Sequence, residues 1–392
     1  FGVNIKTIKS FAQASMDACM DILFKNQAMP DPPINYSYTK DLSTPIGKTW
    51  INQFPTPDFN FYRNQSLRVW YLDLLMSGTP NIREKMTLFW HNHFVTSNIS
   101  SPFMSYKYIS LLRSSALGNF KQLCKDITID PAMLIYLNGK DSTGKAPNEN
   151  FGREFLELFS IGKGDLVGPG DYTNYTEEDV KQLARGFTGW VNIANSVPPQ
   201  SEFKTSRHDT GTKTLSYRFG KVVIPNAGEN EYKNIIDIIF QQEAVAEFIA
   251  TKLYRWFVYF DIDDDIRQNI IKPMATIIRQ NNYEVAPALR TLLSSEHFYD
   301  SCVVGRLVKS PMDFIFSPIN HFEIPMPTDG AAKVKLNTDL FNQSLEMQMA
   351  IFQIPSVGGW PPFYQEPAYN RLWLNAVSLT KRKIYTDALN LT

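Results

Sequence analysis

The patterning of the chain predicts a mainly α-helical, multi-helical globular protein with a small β-hairpin near residues 213–224. Three observations carry this expectation. Apolar residues recur at helix spacing in many separate segments, and only one stretch alternates with the period of a strand. At 392 residues the chain is also long enough to bury an extensive core without disulfides or metals. In the first half, helices are expected over Ile5–Leu23, Val69–Met76, Met86–Phe94, Tyr106–Leu112, Phe151–Phe159 and Val180–Phe187. In the second half they are expected over Ala244–Val258, Ile266–Ile278, Val285–Leu293, Met312–Ile319, Leu340–Phe352 and Leu372–Ile384. The run Ala244–Phe260 is apolar almost all round, the pattern of a central buried helix. In Lys213–Ile224, Leu215, Tyr217 and Phe219 alternate with polar neighbours, and Gly220 supplies a turn. Clusters of small polar residues and prolines make loops of Asn138–Pro147, Val191–Thr212 and Ile354–Pro362. Residues 1–392 are read as one domain, and a division into 1–190 and 230–392 around the hairpin is the alternative.

Charge and composition narrow the function. Lys and Arg number 39 and Asp and Glu 39, so the formal net charge is zero. Without a basic stripe, nucleic acid is not the expected partner. No stretch approaches the roughly 20 apolar residues of a transmembrane span. The chain opens at Phe1 without a basic or apolar leader, so an export signal and the natural start are expected upstream. Cys19, Cys124 and Cys302 form no C-x-x-C pair, leaving buried thiols, or one disulfide and a free thiol.

Four clusters carry residues capable of chemistry. Arg83–Ser97 contains His91 and His93, which point to nearly opposite sides of a regular helix and converge only if the helix ends near Asn92. In Asn148–Gly162, Glu149, Arg153 and Glu157 form a ladder, and Glu154 and Glu157 at i, i+3 offer two carboxylates to one site. In Tyr172–Trp190, Thr176 and Asp179 have the spacing of a capping box, while Arg185 has no such local explanation. In Ser206–Gly211, His208 and Asp209 precede a glycine turn and read as a ligand pair or as an Asx turn. His297 and His321 sit among apolar residues and read as structural.

Taken in order, these clusters resemble the domain-of-unknown-function family 1800. The resemblance rests on Trp90–Phe94, Asn148–Leu158, Tyr175–Val180, Thr188–Trp190, His208–Gly211, Ser294–Phe298, Lys309–Pro311 and Ile354–Trp360, and spans nearly the whole chain. Two departures stand out: Gly152 replaces the usual alanine before the motif arginine, and Ile354-Pro355 replaces a double proline. The resemblance implies a bacterial, mostly helical, exported protein of the periplasm or cell surface, with no established activity.

Two classes of function follow. One is an exported enzyme or metal-binding protein, with Arg153, Glu154, Glu157, Asp179 and Arg185 as catalytic candidates. Its metal ligands would be His91, His93, His208 and Asp209, and these oxygen and imidazole donors suit a divalent ion. The other is a non-catalytic structural or partner-binding protein of the cell envelope, acting with another envelope protein. There the same charges form a buried ion-pair network. A third reading makes Trp190 or Trp360 a carbohydrate-stacking platform.

Overall fold

The computed structural model describes residues 1–390, and 55% of the chain is helical. The predicted helices form, with boundaries set by local chemistry. Ile5–Leu23 is broken into Ile5–Gln13 and Met16–Leu23, because the Ser15 side chain accepts from Ala18 N and starts a new helix. Val69–Met76 is the last part of a longer helix, Asn60–Leu75. The expected helix to Phe352 stops at Glu346, and Gln348 and Phe352 take positive φ values beyond it. Helices Phe120–Thr128, Pro131–Tyr136 and Glu231–Ile239 lie in segments where no helix is expected.

Helix Glu243–Phe257 occupies the centre, as its apolar surface predicts, burying Val245, Ala246, Ile249, Ala250, Leu253, Tyr254 and Trp256. It packs mainly against Lys272–Gln280. One contiguous cluster of buried side chains runs from Met20 to Tyr385. Much of it is aromatic: Trp90 stacks on Phe94 and Phe120, and His93 lies against Phe94, Phe120 and Phe159.

Three two-stranded antiparallel sheets complete the fold. Lys213–Thr214 pairs with Val223–Ile224, as expected, but the alternating residues between them do not extend the strand. Tyr217–Phe219 form a 3-10 turn started by Ser216, and Gly220 closes it at φ +67°. Of the other two sheets, one lies where no strand is expected and one corrects the reading of Val191–Thr212 as loop. Leu166–Gly168 pairs with Asp171–Tyr172, and Trp190–Asn192 with Ser201–Phe203. Their strands of two or three residues are too short for a period of two to show.

The segment Asn148–Leu158 begins as an α-helix, Glu149–Glu154, and widens into a π-helical turn over Phe155–Ser160. It packs against Glu177–Gly186. A Cβ on Gly152 would lie 3.1 Å from Val180 O and 3.2 Å from Ala184 N, so even an alanine needs the neighbouring backbone to give by a few tenths of an ångström and a longer side chain needs more. Gly152→Leu is expected to destabilise the protein by about 1–3 kcal/mol in urea unfolding, because backbone rather than a mobile side chain must give way.

Candidate functional site

The nine site residues singled out in the sequence fall into three groups. The first is built on helix Glu177–Gly186. Thr176 and Asp179 form the expected capping box. The fully buried Asp179 also reaches beyond its own helix: Oδ1 accepts from Ser216 N at 2.7 Å and Oδ2 from Ser216 Oγ at 2.7 Å. Its carboxylate therefore ties the helix start to the 213–224 hairpin. At the other end of the helix, Arg185 donates through Nε and Nη2 to the two Asp209 oxygens, at 2.8 and 3.1 Å. This fork holds the Asp209 carboxyl below the usual carboxylate range.

Behind that pair lies a second, fully buried one. Lys213 Nζ sits 2.5 Å from Glu231 Oε1, and neither side chain has exposed surface. Lys213 also donates to Asp209 O and lies 3.6 Å from Asp209 Oδ1, which joins the two pairs. Glu231 Oε2 accepts from Ala227 N at 3.0 Å and faces His208 Nε2 at 3.3 Å. His208 Nδ1 donates to Thr188 O at 2.9 Å. Burial pushes the Glu231 carboxyl upward, but hydrogen bonds from His208 and Lys213 outweigh it and leave the group below its ordinary value.

The second group lies where the two motif helices meet. Arg153 pairs across the two helices with Glu177 at 2.8 Å and, as the ladder predicts, with Glu149 at 3.6 Å. Glu157 accepts from Tyr175 OH at 3.2 Å and lies 3.5 Å from Lys163. The Glu154 carboxylate makes no hydrogen bond among the described residues. Burial, and then the neighbouring Glu157 charge, push its carboxyl above the ordinary value.

The third group is centred on helix Arg83–His93, which stays regular to its last residue, so the two histidines diverge. His91 Nδ1–H donates to Tyr108 OH at 3.3 Å, Tyr108 in turn donates to Phe94 O, and His91 Nε2 accepts from Phe352 N at 3.1 Å. Burial takes its pKa down to about 3. His93 Nε2–H donates to Phe159 O at 3.0 Å, and Nδ1 accepts from Lys252 Nζ at 3.2 Å. Both rings are neutral, and both of their nitrogens are occupied. Between them Asn92 Oδ1 accepts from Trp360 N at 2.8 Å. Gly359, at φ +101°, comes so close that a Cβ would lie 2.7 Å from Asn92 O.

A model of the protein family of unknown function DUF1800 matches residues 1–391. The chain belongs to that family. No curated protein matches it, and no solved structure matches it.

The DUF1800 segments thus carry three separate constellations. Among the described residues no three His, Cys, Asp or Glu side chains come together in a group able to hold a metal ion. His91 and His93 serve different neighbours, and His208 belongs with Glu231. Trp360 is fully buried, and Trp190 is half-buried against Phe203 and Tyr232, so neither offers an open stacking face. Among the thiols, Cys19 and Cys124 are buried, whereas Cys302 is exposed; all three are free.

Sequence reasoning missed Lys213 and Glu231. One signal was present: Lys213 lies two residues before Leu215, on what an extended strand would make the buried face, and a lysine there needs an acid. It also missed Lys252, whose Nζ donates to Leu158 O at 2.9 Å as well as to His93. Burial, and then the Arg255 charge, push this amine down to about 7.

A pH dependence follows for His91. Its folded pKa of about 3 lies below the ordinary 6.5, so as pH falls through that window the unfolded chain takes up a proton that the folded protein refuses. Stability is full above 6.5 and is lost toward 3. The stability advantage over His91→Gln is expected to shrink by up to about 1.4 kcal/mol per pH unit across this window, measured by urea unfolding.

Proposed function

We propose that the charged motifs of this DUF1800 protein serve architecture, and that it works as a non-catalytic structural or partner-binding protein of the cell envelope. The supporting observation is the Lys213–Glu231 pair, wholly removed from solvent and joined through Asp209, Arg185 and His208 to two further segments. Such a network fixes one arrangement of hairpin, loop and helices, and its charges are spent on one another rather than presented to a substrate. The envelope location follows from the export that the family resemblance implies. Fractionation of cells expressing the intact gene tests it, and recovery in the cytosol would count against it.

Removing one member of a buried pair leaves the other charge uncompensated, at a typical cost of about 3–5 kcal/mol. Glu231→Leu and Lys213→Met are each expected to lose stability on that scale in urea unfolding, and the double variant less than the sum of the two. Full stability in either single variant would overturn the architectural reading.

One observation favours a metal-dependent enzyme instead. Glu154 is half-buried beside Glu157 and lacks a hydrogen bond among the described residues, so a cation there would relieve the repulsion that raises its pKa. Elemental analysis of Glu154→Gln separates the readings. Loss of a stoichiometric divalent ion with stability intact supports the enzyme; a protein that is metal-free both before and after the substitution supports the scaffold.

A further inference from the structure

Helix Glu243–Phe257 carries two cations, Lys252 and Arg255, on one turn, and both line a cavity of about 30 Å³. Asn92 and His93 from the histidine-bearing helix form one wall, and Gly358, Phe363 and Tyr364 from the late loop form another. Neither cation has a carboxylate partner among the described residues. The acid on their own helix nearest in sequence, Glu247, is engaged by Arg267. The charge that acts on Lys252 is another cation, that of Arg255. Arg255 itself lies over the Tyr369 ring, 4.8 Å from its centroid, and its buried Nε–H makes no hydrogen bond. The indole Nε1–H of Trp256 is likewise buried without an acceptor, in a residue only 3% exposed that lines the same cavity. Two buried donors without acceptors are costly, and beside two partly buried cations that lack an anion one negatively charged acceptor group would satisfy both donors and the charge together.

Size and lining narrow the class. A water needs about 10–15 Å³ of such space, so the cavity takes an occupant of about two to three water-sized groups, the size of a carboxylate carrying a very short tail. Its other walls are the rings of Phe89, Trp256 and Phe363. A planar anionic head with a short apolar tail matches both features better than a tetrahedral, multiply charged oxyanion.

We propose that this cavity binds a short-chain monocarboxylate, its carboxylate held by Lys252 Nζ, Arg255 Nε–H and Trp256 Nε1–H and its alkyl end against the aromatic walls. This goes beyond the architectural reading and does not depend on it, since none of the three donors belongs to the Lys213–Glu231 network.

The test is calorimetric titration with sodium acetate at constant ionic strength, with sodium chloride and sodium phosphate as comparison titrants. For four heavy atoms the affinity ceiling is a Kd of about 40 μM, so the titration runs to about 100 mM. The expected result is a saturable one-site isotherm for acetate and none for chloride or phosphate. Arg255→Met, which keeps the stem beside Tyr369, is expected to weaken acetate about tenfold or more. Trp256→Phe, which keeps the packing and removes only the N–H, is expected to weaken it several-fold. Absence of a saturable acetate isotherm in the unaltered protein would overturn the proposal, whatever the variants do. So would phosphate binding as tight as acetate, or acetate binding unchanged in a folded Trp256→Phe protein.

Discussion

The buried Glu231 carboxylate is the constraint on which the middle of this molecule depends. A charge wholly out of water persists only where opposite charge and hydrogen-bond donors surround it. Here they come from three different places in the chain: Lys213 from the hairpin, His208 from the loop before it, and Ala227 N from the turn that leads into helix Glu231–Ile239. Each of these must be in place before the carboxylate is satisfied. The buried apolar residues of the same hairpin and helix, Leu215, Ile224 and Ile235 among them, contribute burial but would tolerate small slides past one another. The charge allows one register. Arg185 and Asp209 extend the same logic outward to the end of the motif helix, and Asp179 to its beginning.

What the sequence made legible was the set of elements with a local cause. The central helix, the capping box at Thr176 and the Glu149–Arg153 step of the charged ladder rest on spacing within one helix. The break at Ser15 was missed because an apolar stripe continues across it, although the serine itself is a good cap. Tyr217 and Phe219 looked like strand residues because alternation over a few positions also fits a 3-10 turn. Trp190–Asn192 and Ser201–Phe203 were hidden by their shortness.

The candidate site was legible in its residues and not in its partners. Arg185 and Asp209 both stood out, but a 24-residue separation through loop and sheet gives no hint that they meet. His91 and His93 stood out because two imidazoles two residues apart would converge if the helix ended near Asn92. In the fold each is a neutral hydrogen-bonding joint: His91 holds the backbone at Phe352, and His93 holds the end of the Phe155–Ser160 turn. Lys252 and Arg255 drew no notice, since one or two cations on a helix usually face water. The almost wholly apolar surface around them was the clue.

The π-helical turn over Phe155–Ser160 has a consequence of its own. An extra residue in a turn shifts every later carbonyl about 100° around the axis relative to a continuous α-helix. The carbonyls of Leu158 and Phe159 are thereby aimed sideways at Lys252 and His93, while Ile161 N and Gly162 N both bond back to Leu156 O. A helix terminus that would ordinarily fade into solvent becomes a fixed electronegative wall beside a half-buried amine. Deleting a single residue from this segment would leave its length nearly unchanged and its composition intact, yet it would turn that wall away. The widened turn therefore works as an angular setting, transmitting the phase of one helix to the electrostatics of another.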